Sequence, residues 1–343
     1  MPCTRPRTAY QPLYGGKLKF TRPPKGIHRD KFDKKHSPIE VQCNECYDCI
    51  NRHALDWSVR QYNQAQLVDE KAIGLNLFVT YTYKPEELPD FGFYNYQDIQ
   101  KAHKRLRDYQ VKHARKHGIP KERIQFKFAM APEYGDTTLR AHYHGNYYNL
   151  WLPDLRRMGK NSSGRETFQS DMLEKAWQKG LIDIQSFGMG SATYVGKHNV
   201  KQNGESLKLH LKRIHFARRK LLTEQTEKET GIAIPFDKES GEVMPEKIPL
   251  PRIYASNRPA IGRTFYEKFK KDIYPRDYLT VNGQKFPPPK YYDRLLLDDD
   301  PELWFQVMEA REENRRDWTS EQLRNREEVK RNKYRFFARP GKL

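Results

Sequence analysis

Between residues 74 and 202 the hydrophobic period of the chain switches repeatedly, and the order of those switches limits the folds open to it. GLNLFVTYTY (74–83) is rich in β-branched and aromatic residues and stops at Lys84-Pro85, the pattern of a strand. Over 95–117, Ile99, His103, Leu106 and Gln110 fall on one stripe of a helix. IQFKFAMA (124–131) alternates, with Ile124, Phe126, Phe128 and Met130 on one side of a strand, and AHYHGNYYNLWL (141–152) reads as another. ETFQSDMLEKAWQKG (166–180) has the spacing of an amphipathic helix, LIDIQSF (181–187) that of a strand, and SATYVGKHNVKQ (191–202) that of a short helix. The order β-α-β-β-α-β-α predicts an α+β, ferredoxin-like unit: a central antiparallel sheet covered on one face by helices.

The flanks differ in character. Residues 1–40 are rich in Pro, Lys and Arg, lack periodicity and read as an extended arm, followed by a helix from about Tyr47 to Val68. After residue 203 the chain carries a basic helix candidate (LKLHLKRIHFARRKLL), a polar, Pro-containing stretch over 223–260, and a charged end whose Glu and Arg at i, i+4 spacing suit a solvated helix. Three regions are expected: 1–70, an N-terminal arm and helix with a Cys cluster; 71–203, the α+β core; and 204–343, a basic, largely helical extension.

Charge then narrows the class of partner. Lys and Arg number 63 against 44 Asp and Glu, a net +19, and 21 Tyr and 17 Phe accompany them. A polyanion, nucleic acid first, is the expected partner. The aromatic content excludes an acidic disordered chain, and no run reaches the roughly 20 apolar residues of a membrane span. The basic start, MPCTRPRTAY, has no signal-like apolar stretch. A protein of the cytoplasm, without a membrane partner, is expected.

The cysteines are Cys3 and the closely spaced Cys43, Cys46 and Cys49 in VQCNECYDCINRHALDW. Two-residue spacings converge thiolates on one cation, and Cys3 would supply a fourth ligand for a tetrahedral, purely structural Zn²⁺ site. An iron–sulfur cluster uses the same spacing, and ordinary reduced thiols are the plain alternative.

The chemistry-bearing residues lie in the core. In a strand, His142 and His144 aim at the same point, a common arrangement for divalent-metal ligands. Glu133, at the end of the preceding strand, is a candidate third ligand, with Asp136 in the turn as its competitor. On the helix of ATYVGKHNVK, Tyr194, Lys197, His198 and Lys201 share a side. A phenol with an ordinary pKa near 10 is a poor nucleophile, and a neighbouring ammonium and a cation-bound phosphate would lower the cost of forming phenolate. The alternative makes Tyr194 a packing aromatic. GMGSATYVGKH resembles a P-loop only superficially, because five residues separate Gly190 from Gly196 and His198 stands where Ser or Thr would hold Mg²⁺.

Taken together, FVTYTYKPEELP, EYG with RAHYHGNYY, and ATYVGKHNVK occur in order and at the intervals of the three motifs of HUH-type replication initiators. The chain most resembles the rolling-circle initiators of gokushovirus-like microviruses, small circular single-stranded-DNA bacteriophages; CNECYDCINRHALDWSVR and SNRPAIGRTFYEKFKKDIYP resemble that group too. The resemblance implies an HUH endonuclease core that nicks an origin hairpin in single-stranded DNA and later rejoins the strand. Tyr194 would form a 5′-phosphotyrosine link, assisted by Lys197, while His142, His144 and Glu133 hold Mg²⁺ or Mn²⁺. It further implies a bacterial host cytoplasm, a host polymerase to extend the 3′-hydroxyl and a host helicase to unwind. Relatives carry a second tyrosine four residues on, where this chain has His198. A non-catalytic, zinc-stabilised nucleic-acid-binding protein and an HUH transposase or relaxase are the rival readings.

Overall fold

A computed structural model of the chain describes all residues except 1–2, 14–16, 22–26, 68–70, 136–139, 202–204, 237–240, 245–251 and 338–343. It divides into two units, one of residues 1–53, 203–205 and 314–343, the other of 54–202 and 206–313.

In the first unit, β1 (Arg7–Pro12) pairs antiparallel with β2 (His36–Val41), with α1 (Ile27–Asp33) between them in sequence. The arm expected to be extended is therefore partly folded. Phe32 stacks on His36 at 3.9 Å and meets the Tyr10 ring edge-on at 5.3 Å, contacts that no periodicity announces. α2 (Tyr47–Ala65) then carries the chain into the second unit.

The second unit continues through β3 (Leu75–Tyr83), α3 (Tyr96–Lys116), β4 (Lys127–Tyr134), β5 (Ala141–Leu150), β6 (Arg156–Lys160), β7 (Glu166–Gln169), α4 (Asp171–Trp177), β8 (Gly180–Ser186) and α5 (Met189–Lys201). After these come α6 (Glu205–Thr230), β9 (Tyr254–Ala255), α7 (Arg263–Ile273), β10 (Leu279–Val281), β11 (Gln284–Phe286), α8 (Lys290–Asp299) and α9 (Pro301–Glu313). Seven strands form one antiparallel sheet in the order β6-β7-β8-β3-β5-β4-β9, the α+β architecture with a central antiparallel sheet that the sequence predicts.

Two features depart from expectation. Residues 166–169 form β7 rather than the first turn of a helix, because they pair with β6 and β8 while Ser170 caps the helix that follows. The Ser170 hydroxyl accepts from the Leu173 amide at 3.2 Å and is fixed in turn by Asp154 at 2.7 Å, so α4 starts there. The sheet is also covered on both faces. On one face Ile99 and Leu106 of α3 and Trp177 of α4 pack against Val79, Tyr81, Tyr143 and Tyr147. Each such buried side chain is worth about 1.5–3 kcal/mol. Their polar ends are satisfied internally: Tyr81 bonds Tyr147 at 2.7 Å, His103 Nε2 meets Tyr147 Oη at 2.7 Å, and Tyr83 donates to Asp98 at 2.9 Å. On the opposite face Val195 of α5 packs on Phe78 and Ala131, and Gln61 of α2 joins Asn146 of β5 at 2.8 Å.

α7, α8 and α9 build a second apolar cluster around Tyr266, Ile273, Tyr292 and Leu296, tied by Arg311 to Asp277 at 2.6 Å and Asp293 at 2.9 Å. The charged tail is α10 (Ser320–Phe337), and it is more than a solvated helix. Within the first unit its buried Glu327 accepts from the Thr4 hydroxyl and, at 3.4 Å, from the Tyr47 amide, while Lys330 pairs with buried Asp48.

Candidate active site

Register places the candidate ligands. β4 and β5 pair so that Glu133 stands opposite His142, while Thr80 of β3 stands opposite His144. Alternation sends His142 and His144 to the α5 face and Tyr143 into the aromatic core beneath. The nearest Glu133 carboxylate oxygen is 3.5 Å from His142 Nε2 and 3.1 Å from His144 Nε2.

The remote ring nitrogens are held as well. His142 Nδ1 lies 3.0 Å from the Arg140 carbonyl, which can only accept, so Nδ1 donates there and Nε2 is turned toward Glu133. His144 Nδ1 lies 3.0 Å from the Thr80 hydroxyl. Burial pushes the His144 pKa down against the upward pull of Glu133, with His142 adding to the depression, so the imidazole is neutral at pH 7. A carboxylate and two imidazoles, with Nδ1 atoms tied back and Nε2 atoms converging, make a donor set that fits a divalent cation. Three protein ligands leave coordination positions for oxygen atoms of a substrate.

Tyr194 joins this cluster from α5. Its hydroxyl donates to Glu133 Oε2 at 2.9 Å and lies 3.3 Å from His144 Nε2. The ring meets His144 edge-on at 4.7 Å and Phe78 at 6.1 Å, yet remains 39 % exposed, so a large substrate can reach the phenol. α5 approaches closely because Gly196 faces α2: a Cβ there would stand 2.7 Å from the Ala54 carbonyl and 2.8 Å from the Ser58 hydroxyl. Lys197 sits on the next turn of α5, exposed to solvent. Asp136 and the side chain of His198 lie outside the described residues.

The structure thus gathers Glu133, His142, His144 and Tyr194. Thr80 and the Arg140 carbonyl, which hold the two rings, were missed in the sequence. The alternating Thr80 and Thr82 of FVTYTY were the only signal, and they acquire meaning only once strand register is known.

In the first unit the four cysteines converge, with their sulfurs all within 4.8 Å of one another and none in a disulfide. Cys43 to Cys49 and Cys3 to Cys46 are each 4.0 Å, close to the ~3.8 Å edge of a tetrahedron with 2.3 Å metal–sulfur bonds. Backbone amides of Glu45 and Cys46 donate to the Cys43 sulfur at 3.4 and 3.1 Å. Burial opposes ionisation of Cys46, but hydrogen bonds from Thr4 and Cys49 outweigh it and bring the pKa to about 7. Burial and the Cys46 charge push Cys49 up. The cluster fits one soft cation.

Residues 76–203 match the family model of the replication-associated protein ORF2/G2P. The chain is similar to replication-associated protein VP4 of Bdellovibrio phage phiMH2K, 24% identical over 280 residues, which cover 80% of this chain and 73% of that protein. It is equally similar to replication-associated protein ORF2 of Spiroplasma virus 4, 24% identical over 302 residues, covering 86% and 80%. Against replication-associated protein ORF4 of Chlamydia phage 1 it is 24% identical over 173 residues, covering 49% and 40%. No solved structure matches the chain. The resemblance to phage replication proteins read from the motifs is borne out, and the matched segment contains Glu133, His142, His144 and Tyr194.

Proposed function

Starting from its kinship with phage replication-associated proteins, we propose that this chain initiates rolling-circle replication by nicking single-stranded phage DNA at an origin hairpin and later rejoining it. The observation that carries the reading is the Tyr194 hydroxyl lying within hydrogen-bond distance of both Glu133 and His144 in a cluster suited to a divalent cation.

Glu133, His142 and His144 would hold Mg²⁺ or Mn²⁺, and the nitrogen-rich set suits Mn²⁺ better. Such an ion, when bound, supplies Lewis-acid polarisation of the scissile phosphate. Tyr194 Oη loses its proton and attacks the phosphorus, the bond from phosphorus to the 3′-oxygen breaks, and that oxygen takes up a proton from solvent to leave as a free 3′-hydroxyl. The protein keeps the 5′-phosphate as a phosphotyrosine ester. The Tyr194 hydroxyl, which donates to Glu133 Oε2, is thereby held beside the ligand cluster. Lys197, one turn further on α5, would offset charge on the phosphoryl oxygens. Reversal, with a 3′-hydroxyl attacking the ester, closes the strand without another energy source. The 3′-end is extended by the host polymerase and the duplex opened by the host helicase in the bacterial cytoplasm. The Cys3, Cys43, Cys46 and Cys49 cluster holds a structural Zn²⁺ in this reading.

Incubation with a phage-origin oligonucleotide and Mn²⁺ tests it. The expected product is a protein–DNA adduct that survives denaturation and is lost in Tyr194→Phe. His142→Ala is expected to abolish cleavage while retaining DNA binding. Binding without any adduct would favour the non-catalytic reading and overturn this one.

A further inference from the structure

A cavity of about 1280 Å³ opens at the end of the sheet remote from Tyr194, bounded by the termini of β4 and β5, by β9 and by the loop that follows it. Lys127 opposite Tyr148 marks this end of the β4–β5 pair and Glu133 opposite His142 the other, six residues away. At 3.4 Å per residue the two sites are about 20 Å apart.

The lining is built for a polyanion carrying flat apolar groups. Lys71, Arg107, Lys127, Arg258 and Lys268 border the cavity, and Glu122 is its one carboxylate among the described residues. Phe126 and Phe128 form a buried floor, and Tyr254 stands half-buried beside Phe128, their rings 6.0 Å apart. The Arg107 guanidinium lies over Phe126, 4.5 Å from the ring centroid, and is a planar cation of the kind on which bases stack. Exposed Gln125 and Asn257 add amides able to pair with base edges. The volume exceeds the roughly 300–1,000 Å³ typical of small-molecule pockets, so a ligand of several units fits better than a single metabolite. With Phe126 and Phe128 only 6% and 7% exposed, stacking falls to exposed Arg107 and half-buried Tyr254, which an unpaired strand can use and a duplex, its base faces hidden, cannot.

We propose that this cavity binds unpaired bases and phosphates of single-stranded DNA several nucleotides from the phosphodiester held at Tyr194. The inference rests on the nickase reading for its choice of DNA. Twenty ångströms correspond to about six nucleotides of a stacked strand at 3.4 Å each, and fewer if the strand is extended. Ala129, Ala131 and Asn146 are buried between the two sites, so the strand would pass around the β9 edge rather than along the sheet. The cavity would then set how much sequence beside the nick the protein grips.

The test is direct binding, independent of cleavage. A fluorescein-labelled, mixed-sequence single-stranded DNA oligonucleotide is titrated by anisotropy at several salt concentrations, without divalent metal. Wild type is compared with Arg258→Gln/Lys268→Gln, both at exposed positions. If each contacts a phosphate, the slope of log K against log salt becomes shallower by about 0.7 per cation removed, with at least about tenfold weaker binding at low salt. Lys160→Gln/Lys175→Gln, two exposed cations outside the cavity, is the control and should change neither quantity appreciably. Lys127→Met, which keeps the aliphatic stem, is a second single-site arm expected to lower the slope by about 0.7. Equal losses in cavity and control variants, or no loss in the cavity variants, overturn the proposal. Failure to nick with cavity-dependent binding intact would instead sink the nickase reading and leave the cavity assignment standing.

Discussion

Substituting Gly196 with alanine tests whether the approach of α5 to α2 sets the position of Tyr194. The new Cβ would start 2.7 Å from the Ala54 carbonyl oxygen and 2.8 Å from the Ser58 hydroxyl, which itself donates to that carbonyl at 2.7 Å. Ordinary contact begins at 3.4 Å, so α5 and α2 must separate locally by about 0.7 Å, the difference between 3.4 and 2.7 Å. Overpacking of this kind costs about 1–3 kcal/mol. Two residues away, a displacement of that size takes the Tyr194 hydroxyl out of its 2.9 Å bond to Glu133. A misplacement approaching 1 Å costs up to about 100-fold in rate, so single-turnover nicking is expected to slow by about 10- to 100-fold. Urea unfolding gives the stability arm, and a labelled-oligonucleotide adduct assay the rate. Gly188→Ala, where a Cβ meets nothing within 4 Å, is the control and should leave both unchanged. A Gly196→Ala protein as stable and as fast as wild type would refute the reasoning.

Metal analysis of the purified protein should return about one equivalent of zinc, falling sharply in Cys46→Ser; less than about half an equivalent in wild type, or iron in its place, would reject the zinc assignment. His103 gives an acid-stability prediction: burial, reinforced by Arg107, lowers its pKa from 6.5 to about 3, so the folded chain keeps it neutral while the unfolded chain protonates below 6.5. Its contribution is therefore intact at neutral pH and is lost as pH falls from 6.5 toward 3, by about 2 kcal/mol at pH 5. His103→Gln should flatten the acid limb of a stability-against-pH curve by about that amount, measured by urea unfolding at each pH, and parallel curves would contradict it.

The core was legible where hydrophobic period and length agreed. The stripe Ile99, His103, Leu106 and Gln110 is fully buried on α3, and the alternation in 141–152 sends Tyr143 down and His144 up. The assembly of Glu133, His142, His144 and Tyr194 follows from the order of motifs along the chain. What escaped was pairing. β7 looked helical because ETFQ precedes a genuine helix, and only the Ser170 cap and the β6 and β8 partners separate the two. Thr80 gains its role from standing opposite His144, a cross-strand relation that no local pattern encodes. The β1–β2 pair was hidden in a Pro- and Lys-rich stretch whose side chains are mostly exposed, so burial left no periodic trace.

β5 serves two masters. The same few residues that offer imidazoles upward anchor phenols downward, with Tyr143 donating to the Asn95 carbonyl at 2.7 Å and Tyr147 bonded to Tyr81 and His103. A slip of the strand by one residue would drive both histidines into an aromatic core and expose the tyrosines. Reactivity above is therefore insured by mechanical rigidity below: loosening a phenol on the hidden side would be felt as a tilted ligand on the working side.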